Sequence, residues 1–283
     1  MEKKGEIEHL SVMTEEVVSF LNCRPNGVYV DGTLGSGGHS LEILRWSSPN
    51  GKLIGIDWDK DAIAIARKTL ENFQDRVTTV CDNFKNIGSI LKDLAVDQVD
   101  GILLDLGVSS IQLGDKERGF SFRIKGPIDM RMDRGSVLKA FDLINGLSLT
   151  ELEQILLKYG EERFAKRIAG SIVDHRRTIP ITTTTQLANI VTTAIPSRFH
   201  PKRVHPATKT FQAIRIAVND ELTNLEIAIR EGIDFLKKGG RFCIISFHSL
   251  EDRIVKQSFR SLAKPCTCPP DMPECNCHQK SKI

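Results

Sequence analysis

Apolar residues recur with two periods in the first hundred positions. Val28-Tyr29-Val30-Asp31, Lys52 to Asp57 and Val77 to Cys81 are short runs rich in β-branched side chains, and Val99 to Leu106 is almost wholly apolar. Between them, Ile63, Ala66 and Leu70 share one helical face, while Ile87, Ile90, Leu91 and Leu94 fall at i, i+3, i+4 and i+7. Strands alternating with helices predict an α/β protein with a parallel, doubly wound sheet. The continuous apolar run of the fourth strand fits a strand covered on both faces.

The next strand-like run, Arg241 to Phe247, begins more than 130 residues after Gly107. A parallel crossover needs only about a dozen residues, so a separate body is inserted. Its pattern is helical. Thr150 stands where it can cap a helix carrying Leu152, Ile155, Leu156 and Tyr159, and Phe164, Ile168 and Ile172 recur every four residues in a stretch from Glu161 to about Arg176. Pro180, the four threonines 182–185, Pro196, Pro201 and Pro206 then punctuate the chain before helical patterning resumes. The expected division is a sheet domain from 1–109 and 206–283, with an inserted helical domain at 110–205.

Composition narrows the class. Hydrophobic residues make up 40% and charged residues 27% of 283 positions, which is a globular balance rather than a disordered one. No apolar run approaches the ~20 residues that span a bilayer, and the N-terminus has neither a signal-peptide nor a transit-peptide pattern. A cytoplasmic protein with no membrane partner is expected.

The net charge of +3 is unevenly spread. Residues 1–109 hold 11 Lys/Arg against 17 Asp/Glu, and residues 110–216 hold 18 against 10. A basic insertion calls for a polyanion. Arg118-Gly119-Phe120-Ser121-Phe122-Arg123-Ile124-Lys125 interleaves cations with aromatics, as RNA contacts require, and Arg198 to Arg215 has five Lys/Arg, two histidines and no acid. Alternatively, Phe120 and Phe122 pack the insertion onto the main domain.

Cys23, Cys81 and Cys243 read as small core residues. Cys266, Cys268, Cys275 and Cys277 crowd the last 18 positions. They offer enough thiolates for tetrahedral zinc, but the paired C-x-C spacing departs from the usual C-x-x-C. No metal is assigned, and free thiols are the simpler reading.

The candidate chemistry sits after the first strand, in Asp31-Gly32-Thr33-Leu34-Gly35-Ser36-Gly37-Gly38-His39. A glycine-rich loop at that place lets backbone amides and a helix N-terminus approach a ligand. Asp57 closes the second strand, 22 residues beyond Gly35, where a carboxylate can hold two ribose hydroxyls. The layout suits S-adenosylmethionine (SAM) or NAD. SAM is favoured because it has no pyrophosphate to cradle, and Asp31 provides an acid near its ammonium group. Asp82 and Asp105 end the third and fourth strands; Asp105 leaves a buried strand and can face both the cofactor and the group being modified.

These runs, together with Gly101-Ile-Leu-Leu-Asp-Leu-Gly-Val-Ser-Ser110, Glu117-Arg-Gly-Phe-Ser-Phe122, Asp129-Met-Arg-Met-Asp133, Tyr159-Gly-Glu-Glu-Arg-Phe164, His205-Pro-Ala-Thr-Lys-Thr-Phe-Gln-Ala-Ile-Arg215 and Ile245-Ser-Phe-His-Ser-Leu-Glu-Asp-Arg253, resemble the RsmH (MraW) family of 16S rRNA methyltransferases. The likeness runs from about His9 to Lys264. It implies a Rossmann-like SAM-dependent sheet with a helical insertion. The implied reaction is methylation of the N4 amine of a P-site cytidine, with 16S rRNA in an assembled small ribosomal subunit as partner. SAM contacts are implied at Gly37, Gly38, His39, Asp57, Phe84, Asp105 and Gln112. At the third strand the residues alone favour Asp82 and the resemblance favours Phe84, packed on the adenine; Phe84 is taken. Family members usually continue past the cysteines into an Arg/Ser-rich stretch and a further short strand, whereas this sequence stops at Ile283: either the sheet closes without that strand or the chain is shortened, and a missing edge strand would expose unpaired backbone.

The cytosine amine is a poor nucleophile and needs in-line placement with a proton acceptor. Asp105 is the first candidate, with Ser109 and Ser110 orienting the base. His248 can hold the base or take a proton, or can be a structural partner of a cap formed by Ser249 and Asp252. Methylation at cytosine C5 would need an attacking cysteine, and the loop after strand four has none. Direct transfer without a covalent enzyme intermediate is therefore expected, from a monomer or homodimer. A non-catalytic assembly factor and an NAD-linked oxidoreductase are the rival classes.

Overall fold

The computed structural model describes residues 12–264 and residues 268, 277, 281 and 282. The chain divides into two compact units, one formed up to Gly107 and again from Leu222, the other by Val108–Glu221. In chain order the first unit contributes α1 (Thr14–Leu21), β1 (Val28–Asp31), α2 (Gly38–Trp46), β2 (Lys52–Asp57), α3 (Lys60–Thr69), β3 (Val77–Cys81), α4 (Ile87–Asp93) and β4 (Val99–Asp105). The second unit holds α5 (Ser110–Gly114), α6 (Ala140–Gly146), α7 (Leu149–Gly160), α8 (Ala165–Arg176), α9 (Thr184–Ala194) and α10 (Thr208–Asn219). The chain returns through α11 (Glu221–Ile233) to β5 (Leu236–Ile245) and α12 (Ser249–Ala263).

The five strands are parallel in the order β3-β2-β1-β4-β5. Alternation along each strand sends Tyr29, Leu53 and Leu103 to one face, with Val17, Leu21, Ile43, Leu44 and Ile63, and sends Val30, Ile54, Ile56 and Ile102 to the other, with Ile87, Ile90 and Leu91. β4 is buried from Val99 to Leu104, as a central strand covered on both sides should be. Register pairs Asp31 with Gly55 and Leu103, Asp57 with Cys81, and Asp105 with Ile245. Three strand-ending carboxylates therefore share the carboxyl edge. The strand order reverses between β1 and β4, which is where open α/β sheets leave a crevice for ligands.

At the opposite end of β4, Asp100 ties the sheet together. Its carboxylate accepts from Arg24 Nη2 at 2.7 Å, Lys237 Nζ at 2.7 Å and the Val28 amide at 2.9 Å. Burial works against this charge, but the bonds from Lys237 and Arg24 outweigh it and hold the carboxyl below its ordinary pKa.

Several expectations need correction. β5 begins at Leu236 and ends at Ile245, not at 241 and 247. Lys237-Lys238-Gly239-Gly240 is absorbed as a register shift opposite Val99 and Gly101, with Gly239 at φ +82°. The helix expected from Thr150 is capped by Ser148, whose Oγ accepts from the Glu151 amide while Glu151 Oε2 takes the Ser148 amide. Of the threonine run, Thr183 caps α9, a helix the punctuation concealed. The second unit runs to Glu221 rather than 205, because α10 packs on α7. Cys81 is exposed, at the end of edge strand β3. Of the cysteine cluster, Cys266 and Cys275 lie outside the described residues, as do 278–280 and 283 beyond it. No described helix is long and apolar enough to cross a membrane.

Candidate active site

The loop from β1 to α2 is shaped by close packing. A Cβ on Gly32 would lie 2.4 Å from Leu104 Cδ2 and 3.2 Å from Phe84 Cβ, so only glycine passes between the strands here. Gly37 precedes α2 with φ +87°, a left-handed conformation that glycine adopts without strain. The first-turn amides of α2, at Gly38 and His39, have no carbonyl partner within their own helix. They begin the helix at the carboxyl edge of the sheet.

Asp57 fastens this loop. Its Oδ2 accepts from the Gly35 amide at 2.8 Å and its Oδ1 from the Asp59 amide at 2.9 Å. Burial raises its pKa to about 6 against the opposing pull of those two amides. Thr33 bridges to the next strand, its Oγ1 accepting from the Asp105 amide at 2.6 Å.

Three ionisable groups meet at the switch point. Asp31 is buried, accepting from Ser40 Oγ at 2.7 Å and the Thr33 amide at 3.1 Å. Burial pushes its pKa up, against Ser40 and His39. His39 Nε2 lies 3.6 Å from Asp105 Oδ2, an ion-pair distance longer than a hydrogen bond. Both ring nitrogens of His39 and Oδ1 of Asp105 are buried without a hydrogen-bond partner. Burial opposes charge on the imidazole, but Asp105 and Asp31 outweigh it and hold the His39 pKa above its ordinary value.

At the end of β3, Asp82 is a loop cap: its Oδ1 accepts from the Asn83 amide and from Asn86 Nδ2. Phe84 is buried among Leu104, Leu106 and Leu225, with its ring 6.3 Å from that of Trp58. Beyond β5, His248 itself is the N-cap of α12, the place that one of the two sequence readings gave to Ser249 and Asp252. Its Nδ1 accepts from the Glu251 amide at 3.4 Å, and Glu251 Oε2 takes the Phe247 and His248 amides. With Nδ1 an acceptor, the proton of a neutral ring is on Nε2, which is 3.2 Å from Glu251 Oε1 but makes no hydrogen bond.

Gln112 belongs to the second unit, closing a capping box with Ser109 at the start of α5. Arg118 is buried there, donating to the Arg131 and Met132 carbonyls beneath Phe120, so neither it nor Phe120 is free for RNA. Phe122 stacks on His205 with centroids 4.6 Å apart. Arg215 is spent on Glu221, with two bonds of 2.8 Å, whereas Arg123, Lys125, Arg198, Lys202 and Arg203 are exposed. Thr33 and Glu251 were not singled out from sequence, and Ser40 stood out only as the last small residue of the glycine loop. Ser40 and Glu251 lie at helix starts, and only the fold shows which acid or histidine each one serves.

Comparison with known proteins adds an independent finding. Residues 6–283 match the model of the MraW methylase family. The chain is 54% identical over 278 residues to ribosomal RNA small subunit methyltransferase H of Trichlorobacter lovleyi, covering 98% of this chain and 89% of that protein. The proteins of the same name from Geotalea uraniireducens and Clostridium botulinum are 54% and 51% identical, over 96% and 98% of this chain and 88% and 89% of theirs.

Proposed function

The chain belongs to the MraW methylase family, and from that premise we propose that it is a SAM-dependent methyltransferase of small-subunit rRNA that methylates the N4 amine of a P-site cytidine. The observation that carries the reading is the set of buried, unpartnered polar atoms on His39 and Asp105, beside a glycine loop at the switch point. Buried polar groups are normally hydrogen-bonded. A site that leaves three such atoms open, within a loop only glycine can form, fits a polar ligand such as SAM.

When bound, SAM supplies a sulfonium methyl group to an attacking nitrogen. Gly37, Gly38 and the His39 backbone hold its amino-acid end. Asp57 accepts from the ribose hydroxyls through lone pairs not used by Gly35 and Asp59, and Phe84 lines the adenine. Asp105 accepts the amine proton that the cytosine must lose. His248 presents an Nε2 donor that can orient the base. The second unit, with its exposed Arg123, Arg198, Lys202 and Arg203, recognises RNA. A cytosine in folded RNA must be unpaired or swung out to be reached, so the assembled subunit is the expected substrate.

The test is incubation with methyl-labelled SAM and small ribosomal subunits lacking the modification, then nucleoside analysis. N4-methylcytidine at a P-site position is expected. Label in another nucleoside, or none despite measured SAM binding, would overturn the proposal.

A further inference from the structure

A cofactor loop needs only the backbone of His39, yet its side chain is turned into the protein, where 6% of the residue remains exposed. An imidazole placed there without hydrogen bonds is costly unless charge or a ligand compensates it. The groups facing it are carboxylates from two strands: Asp105 of β4 at 3.6 Å, and Asp31 of β1, whose oxygens are already held by Ser40 and Thr33. Cys243 of β5 adjoins Asp105, and burial raises its thiol pKa, so it is neutral. Asp57 of β2 lies beyond Asp31. The cluster contains two carboxylates at close quarters and one group able to carry a compensating positive charge.

We infer that His39 is a positioning residue for methyl transfer: its imidazolium, 3.6 Å from Asp105 Oδ2, keeps the Asp105 carboxylate oriented to take the proton of the substrate amine. The inference rests on the functional reading above. As the amine nitrogen bonds to the methyl carbon, the carbon–sulfur bond breaks and its electron pair stays on sulfur. The positive charge gained by nitrogen is discharged when one N–H proton moves to the Asp105 carboxylate, which later releases it to water. His39 keeps its own proton throughout. The 3.6 Å separation is consistent with this role, since catalytic hydrogen bonds are often long before substrate is bound.

Two measurements on the full chain test it. Isotope-labelled histidine NMR follows the titration of His39 in the wild type and in Asp105→Asn without any substrate. His39 should titrate above its ordinary value of about 6.5 and move down in the variant. Separately, His39→Gln is assayed on unmodified small subunits across pH, with SAM binding measured by calorimetry. Its kcat should fall about 100-fold, the scale of a general base. The wild-type rate at saturating SAM should fall as pH rises through the His39 titration, and His39→Gln should lack that limb. A wild-type His39 that titrates at or below the ordinary value, or that ignores Asp105→Asn, would remove the charge pair. A wild-type pH profile in His39→Gln would remove the role. Failure of the wild type to methylate the subunit would bring down the functional reading and this step with it, and is told apart because the NMR arm needs no RNA.

Discussion

β4 carries two aspartates five positions apart that the protein uses in opposite ways. Asp100, at the amino end, accepts three hydrogen bonds from Arg24, Lys237 and Val28. Asp105, at the carboxyl end, has one oxygen buried without a partner and the other 3.6 Å from a histidine that itself lacks hydrogen bonds. A saturated carboxylate has spent its bonding capacity on holding strands together. An unsaturated one keeps that capacity for something that arrives later. The contrast separates structural from chemical charge within a single strand, and it can be broken by substitution.

The largest effect is expected at Asp105. Replacing it with Asn preserves shape but removes the proton acceptor, so methylation of the small subunit should fall on the order of 1000-fold. Above the pH at which His39 loses its proton, the urea midpoint should hardly move, because no side-chain hydrogen bond of the fold is lost. A large loss of stability would mean that Asp105 is a second Asp100.

Asp100→Ala should do the reverse. Two cations and an amide lose their acceptor, but Arg24 is 57% and Lys237 38% exposed and can rehydrate, so the cost is about 2 kcal/mol rather than that of a fully buried pair. Urea denaturation measures it, while turnover of the folded variant should match the wild type. The folded pKa of Asp100 is lowered, so its contribution is present above the unfolded value near 3.9 and is lost as pH falls through the folded one. The gap between wild type and variant should therefore close below about pH 4.

Asp57 is intermediate, with both oxygens engaged yet at the ligand edge. Its folded pKa of about 6 lies above the unfolded value, so the protonated form stabilises the fold at low pH and that contribution is lost as pH rises through about 6. Ligand binding should respond with the opposite sign. The Kd for SAM should rise as pH falls below about 6, by at most ~10-fold per pH unit as a single proton requires. Asp57→Asn should flatten that dependence. Calorimetry at pH 5, 6 and 7 would show it, and a flat wild-type curve would remove the ribose role.

How much of this could be read from the chain follows from where the determinants lie. β1, β2 and β3 were legible to the residue because short β-rich apolar runs and a closing Asp or Cys mark them locally. The carboxylates Asp31, Asp57 and Asp105 were legible for the same reason, each ending an apolar run. β5 was blurred by Lys237-Lys238-Gly239-Gly240, whose strand conformation is dictated by pairing with β4 rather than by its own residues. α9 was hidden because threonines, poor in isolated helices, cap and fill its first turn. The pairing of His39 with Asp105 links residues 66 positions apart, so only the assembled sheet reveals it. Arg118 and Arg215 looked like RNA contacts because a charge count cannot tell a cation already bonded within the unit from a free one.

Glu251 gives the smallest effect and the sharpest discrimination. It lies beyond the carboxyl end of β5 and is 2% exposed, yet its Oε2 is spent on the fold as the Asp100 oxygens are, taking the Phe247 and His248 amides. If location at the carboxyl edge marked a catalytic carboxylate, Glu251→Gln would lower turnover as far as Asp105→Asn. If the unpartnered atom marks it, Gln keeps an acceptor for both amides and gives up only charge. Stability should then drop by about 1 kcal/mol, the difference between a charged and a neutral acceptor. Turnover should drop no more than a few-fold, through looser placement of His248. Measuring melting temperature and methylation rate on the same preparation decides between the two, because the first account requires the rate to fall by orders of magnitude and the second requires it to survive.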